Sequence, residues 1–150
     1  MRAKANGITI NYQVDGADGA PWLVLSNSLA TTVAMWDEQA AALKGTYRVL
    51  RYDQRGHGAT DAPAGRYTFE LLIADAIALM DALGARRVNF AGLSMGAATA
   101  LGLAQQHPDR VDSIILCDSA CMSFMAVGAV PSFSPTMNSV LHFTVATLAL

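Results

Sequence analysis

Residues 88 to 100 read "VNFAGLSMGAATA", and the chemistry in that stretch rests on Ser94, set between Gly92 and Gly96. G-x-S-x-G between an apolar strand and a helix is the arrangement of a nucleophilic serine. The turn is so sharp that a side chain on either flanking glycine would meet neighbouring backbone, and it lifts the hydroxyl clear of the sheet. The helix that follows aims its free N–H groups and positive dipole end at any oxyanion forming on an attacked carbonyl, which makes Met95 N–H the first oxyanion donor. The blander reading is a small-residue turn that merely lets strand and helix pack closely. Spacing rules out two other glycine motifs, since a dinucleotide loop needs G-x-G-x-x-G and a phosphate loop needs Gly-Lys before Ser or Thr.

A second oxyanion donor should come from the loop after the strand "WLVLS". That loop is "NSLAT", where Leu29 N–H is the candidate and Asn27 and Ser28 shape the turn; otherwise these polar residues simply end a strand. The other dense stretch is "RYDQRGHGATD". Gly56 and Gly58 around His57 faintly resemble a dinucleotide loop, but Asp61 stands where the third glycine belongs. Asp53 and Arg55 are read as pinning this loop by hydrogen bonds, and His57 as structural. His107 falls at a helix C-terminus before Pro108, where a partly cationic ring suits the dipole. No histidine has the context of a general base.

Alternating strand and helix signals must position these residues. Thr9 to Val14 alternates after Asn6-Gly7 and pairs with the preceding segment as a hairpin. "WLVLS" and "YRVLRYD" read as core strands, with the helix "VAMWDEQAAALK" between them, closed by Gly45. Residues 68 to 83 put Phe69, Leu72, Ile73, Ala76, Met80 and Leu83 on one helical stripe, with Thr68 as N-cap and Gly84 past the end. "RVNFAG" and "VDSIILC" are two further strands, separated by the helix "MGAATALGLAQQH", which Pro108 ends. The fold class is therefore α/β, a mainly parallel sheet with helices on both faces.

The 150 residues carry a net charge of −2, which suits one globular domain and gives no field to gather nucleic acid or an anionic membrane. The start "MRAKANGITI" has no secretory pattern, so a cytoplasmic location is expected. Cys117 and Cys121 read as free thiols, and neither a metal nor a cofactor site is indicated. From Cys121 to Leu150 there is no Asp, Glu, Lys or Arg. Pro131 and Pro135 break this tail into pieces too short to span a membrane. It is either a hydrophobic lid or edge packing, or the product of a frame shift or truncation after about residue 120.

The stretches "LVLSNSLATTVAMWDEQ", "RVLRYDQRGHGATDAPAGRYT", "GLSMGAATALGLAQQHPDRV" and "SIILCDSA" resemble, in unbroken order over about residues 8 to 120, the N-terminal part of an α/β-hydrolase. More closely they are similar to the 3-oxoadipate enol-lactonase family. The resemblance implies an incomplete α/β-hydrolase fold and hydrolysis of an enol-lactone by Ser94, with Met95 and Leu29 as oxyanion donors. It further implies aromatic-acid catabolism by the β-ketoadipate route, a small-molecule partner, and no cofactor or metal. In that family the triad acid follows a later strand and the histidine comes near the C-terminus, beyond the matching stretch. Asp118 and His142 are poor substitutes for them, so the chain alone is expected to be a weak enzyme. Two alternatives stay open: an inactive fragment acting by association, and another esterase or a haloperoxidase-like enzyme. No oligomeric state follows from the sequence.

Overall fold

A computed structural model describes residues 1–117, and Asp118, His142 and the charge-free 121–150 tail lie outside the described residues. The chain opens with a hairpin of β1 (Arg2–Ala5) and β2 (Ile8–Asp15), paired antiparallel from Arg2 opposite Asn11 to Ala5 opposite Ile8. Its two-residue turn, Asn6-Gly7, has both φ angles positive, the geometry that matches strand twist. Then come β3 (Trp22–Ser26), α1 (Asp37–Leu43), β4 (Arg48–Tyr52), α2 (Phe69–Ala82), β5 (Val88–Leu93), α3 (Met95–Gln106) and β6 (Val111–Cys117).

The six strands form one sheet in the order β1-β2-β4-β3-β5-β6. The β4–β3, β3–β5 and β5–β6 pairs are parallel and the two pairs at the hairpin end antiparallel, in keeping with the expected mainly parallel sheet. Its central strands carry continuous apolar runs because both faces are covered. On one face Val24, Leu50 and Phe90 pack against Ile73, Leu79 and Met80 of α2 and Leu103 of α3; on the other Leu23, Leu25 and Val49 pack against Trp36 and Ala40 beside α1. Each such side chain contributes about 1.5–3 kcal/mol by leaving water.

Three expectations need correction. The helix over 33–44 begins as a 3-10 turn, Val33–Trp36, because Thr32 caps it through Ala34 N–H, and only Asp37–Leu43 is α-helical. Gly45 does not close it in a left-handed conformation. Instead the Thr46 and Tyr47 amides both donate to Leu43 O. In α2 the buried stripe runs through Leu72, Ile73, Ala76, Leu79 and Met80, whereas Phe69 is exposed at the first helical position beside exposed Tyr67. Thr68 does cap α2, accepting from Leu71 N–H, and Gly84 beyond its end has a positive φ. Among the described residues β6 is a sheet edge, and Ile115 on it is exposed.

Candidate active site

Connectivity prepares the site before any side chain does. From β3 the chain moves by α1 to β4 on one side, while from β5 it moves by α3 to β6 on the other, and the two helices cover opposite faces. Adjacent strands whose connections diverge leave a crevice at their carboxyl ends, the usual ligand position in such sheets. The two segments that border this crevice are residues 27–33 and the turn at Ser94.

Ser94 joins β5 to α3 with φ +53 and ψ −108, outside the regions a non-glycine residue favours. Such strain costs about 1–3 kcal/mol and persists only where surroundings enforce it. Here the surroundings are backbone. Ser94 N–H donates to Cys117 O at 3.0 Å, and Ser94 O accepts from Ala97 and Ala98 N–H. A methyl on Gly92 would run into the carbonyl of Gly96, and one on Gly96 into the carbonyls of Ser26 and Asn27. Ser94 and Met95, the first residue of α3, are both half-buried.

The 27–33 segment is equally constrained. Asn27 is fully buried and its carbonyl accepts from Gln54 Nε2 at 2.7 Å. Thr31 Oγ1 donates to Ser28 O at 2.7 Å across a turn, and Ala30 within that turn has φ +60. Val33 N–H at the far end donates to Asp53 Oδ1 at 2.7 Å. Leu29 therefore sits on a fixed turn with its side chain exposed. Among the described residues neither Leu29 N–H nor Met95 N–H has a hydrogen-bond partner. The two segments touch where Gly96 meets Ser26 and Asn27. Behind them, burial holds the Tyr52 phenol well above its ordinary value, so it stays protonated beside Ser26 Oγ at 3.1 Å.

Residues 53–61 show how the "DQRGHG" stretch is used. Besides Val33, the Asp53 carboxylate accepts from Asn11 Nδ2 at 2.7 Å and Ala59 N–H at 3.0 Å, and Gly58 leaves room for it. Arg55 makes a buried two-point pair with Asp75 of α2, at 2.8 Å from Nε and 2.6 Å from the guanidinium end. That pair raises the Arg55 pKa further. His57 Nδ1 lies 3.0 Å from Arg55 O, inside the turn. Gly58 thus serves an internal carboxylate, and Gly56 makes room for the Tyr67 ring. His107 ends α3, its own N–H donating to Leu103 O.

Among the described residues no histidine or carboxylate hydrogen-bonds the Ser94 hydroxyl, and no three His, Cys, Asp or Glu side chains gather as a metal site. No helix among them is long and apolar enough to cross a membrane. The amino-acid sequence alone does not single out Gln54 or Ala30. Neither carries a local sign of its role: the burial of Gln54 emerges only in the fold, and nothing in the sequence marks Ala30 for a positive φ.

The strained turn, the divergent crossovers and the strand order together narrow the family, and the alpha/beta hydrolase fold family matches residues 21–135. The chain belongs to the α/β-hydrolase family. An Acinetobacter baylyi protein named 3-oxoadipate enol-lactonase 1 is 42% identical over 120 residues, 80% of this chain and 45% of that protein. A second from the same organism, 3-oxoadipate enol-lactonase 2, is 40% identical over 77% of this chain and 43% of its own length. The crystal structure of the enol-lactonase from Burkholderia xenovorans LB400 superposes with a TM-score of 0.78 at 50% identity, over 80% of this α/β-hydrolase chain and 47% of that one. The chain thus spans a little under half the length of the curated relatives it matches.

Proposed function

We propose that this chain carries the nucleophile-bearing part of an enol-lactone hydrolase, with Ser94 as nucleophile and the Met95 and Leu29 N–H groups as oxyanion donors. The supporting observation is the strained Ser94 turn at the divergence of β3 and β5, abutting a second fixed turn whose Leu29 N–H has no partner among the described residues. The substrate class rests on similarity to proteins named 3-oxoadipate enol-lactonase. Ser94 Oγ would add to the lactone carbonyl while its proton passes to a base. The tetrahedral oxyanion would be held by the two N–H groups until the ring C–O bond breaks. Water would then release the acid and restore Ser94. The enol oxygen leaves as part of the same molecule, so ring opening yields a 3-oxo acid. Gly92 and Gly96 serve by leaving room for the turn. The setting would be cytoplasmic catabolism of aromatic acids by the β-ketoadipate route, without cofactor or metal.

By the family resemblance the activating histidine and acid belong to later segments than 8–120, and neither Asp118 nor His142 is proposed for these roles. Losing triad members costs about a million-fold in turnover, leaving roughly 10³ to 10⁴ over water. The alternative, a segment acting by association alone, draws on the observation that among the described residues no group hydrogen-bonds the Ser94 hydroxyl. Treatment with a fluorophosphonate and peptide mass mapping separates the two. Labelling at Ser94 that vanishes in Ser94→Ala shows an activated nucleophile in this chain and overturns the association reading, whereas labelling of surface serines alone overturns activity of this chain by itself. Product analysis on an enol-lactone against aryl esters then tests the substrate class. Translating the coding DNA from about codon 110 in all three frames tests whether 121–150 is frame-shifted.

A further inference from the structure

Gln54 is about as buried as a residue can be, and among the described residues its side chain makes one hydrogen bond, from Nε2 to Asn27 O at 2.7 Å. Among the same residues its Oε1 is buried without a partner, as are both polar atoms of the Asn27 side chain. A leucine or methionine would fill that space without stranding an amide oxygen, and buried polar groups left unpaired call for an explanation. The neighbouring Asp53 supplies the context. Gln54 grips the 27–33 segment at Asn27, and Asp53 grips it at Val33 N–H, so two consecutive residues at the end of β4 hold both ends of the turn that carries Leu29. Between those grips lies Ala30 at φ +60, a conformation that an alanine abandons unless its flanks are fixed. The gripped carbonyl of Asn27 is also one of the atoms against which Gly96 packs, so the same bond sets this turn against the first turn of α3.

We infer that Gln54 is a positioning residue of the oxyanion hole, holding Leu29 N–H in register with Met95 N–H through its single bond to the Asn27 carbonyl. The inference rests on the nucleophile reading above. Its test uses the full chain with Gln54→Met, which removes the donor at similar volume, and Gln54→Glu, which donates to Asn27 O only when protonated. Amide hydrogen exchange should quicken about tenfold or more at residues 28–32 in Gln54→Met, with β5 and the centre of α3 unchanged. Fluorophosphonate capture of Ser94 should slow about 10- to 100-fold, less than the loss of a whole donor. Gln54→Glu should recover toward wild type as pH falls, which a packing role would not produce. Unchanged exchange at 28–32 overturns the inference, as does faster exchange with undiminished capture, or a Gln54→Glu capture ratio flat with pH. Absence of labelling in the wild-type chain counts only against an activated Ser94 in this chain, and exchange at 28–32, which needs no reaction, then decides the inference.

Discussion

The turn at Ser94 and the loop over 53–61 are both fixed stretches that follow the carboxyl ends of sheet strands, β5 and β4, yet they are held by opposite means. At Ser94 the backbone is packed against backbone: Gly92 against Gly96, Gly96 against Ser26 and Asn27, and Ser94 N–H on Cys117 O. Over 53–61 charged side chains do the holding, with Asp53 gathering three donors and Arg55 locked to Asp75. A contact made of main chain has no shorter side chain to retreat to. A contact made of charges can be lost by titration or substitution and regained by another pairing. The first design should therefore be intolerant of any added atom and indifferent to pH, the second tolerant of replacement in pairs and sensitive to acid.

The largest effect tests the first half of that contrast. Gly96→Ala drives a methyl into two carbonyls that belong to β3 and its following residue. Overpacking usually costs about 1–3 kcal/mol because side chains can shift; here the opposing atoms are main chain, so a loss on the order of 5 kcal/mol is expected. Urea denaturation measures it, and a loss below about 1 kcal/mol would break the comparison. Next comes Asp75→Ala, which leaves Arg55 buried and unpaired at a cost of about 3–5 kcal/mol. Arg55→Met combined with Asp75→Leu should recover most of that stability, since well-packed apolar pairs often replace buried ion pairs without loss. No second substitution is expected to rescue Gly96→Ala.

This asymmetry also explains what could be read from the chain. Glycines placed to admit backbone leave a spacing, so Ser94, Gly92 and Gly96 stand out in "GLSMG", and Asp53 and Arg55 are recognisable as loop anchors. The alternation of strands and helices is equally visible, because periods of two and 3.6 are written locally. Gln54 and Ala30 escape notice for a different reason. Gln54 acts on Asn27, 27 residues earlier, and Ala30 is held by bonds from Asp53 and Gln54, 20 or more residues on; a conformation imposed from a distance leaves no local pattern. Phe69 misleads in the same manner. It has the spacing of a core residue, but the first turn of α2 lies at the surface with Tyr67.

A gain of stability comes third in size. If the two grips impose the Ala30 conformation, Ala30→Gly removes a steric cost of about 1–2 kcal/mol and, after about 0.5–1 kcal/mol for glycine's freedom when unfolded, should stabilise the chain by about 0.5–1 kcal/mol. Thermal unfolding reads this directly. A destabilisation would mean that the turn is not strained and that its flanks are under no load. Combined with Gln54→Met, the gain should persist, because relief of strain and loss of the grip act on the same turn in opposite directions and the glycine no longer needs holding.

The smallest effect belongs to pH, and its sign follows from Asp61. Its carboxylate is held below the ordinary 3.8, first by the Thr9 N–H at 2.8 Å and to a lesser degree by Arg2 and Lys4. A group whose folded value is depressed stabilises the fold fully above its unfolded value, and the contribution is lost as pH falls through the lower folded value. Glu70, held down by its own N–H and by Thr68 at the start of α2, acts in the same direction. As pH falls below the ordinary carboxylate range the chain should therefore lose stability, with exchange at Thr9 quickening before exchange at Ala97 and Ala98. Asp61→Asn should flatten part of that slope while leaving the Ser94 turn untouched. Should Ala97 and Ala98 loosen first in acid, the backbone-built turn would be the titrating region, and the division between packed main chain and paired charge would fail at its simplest point.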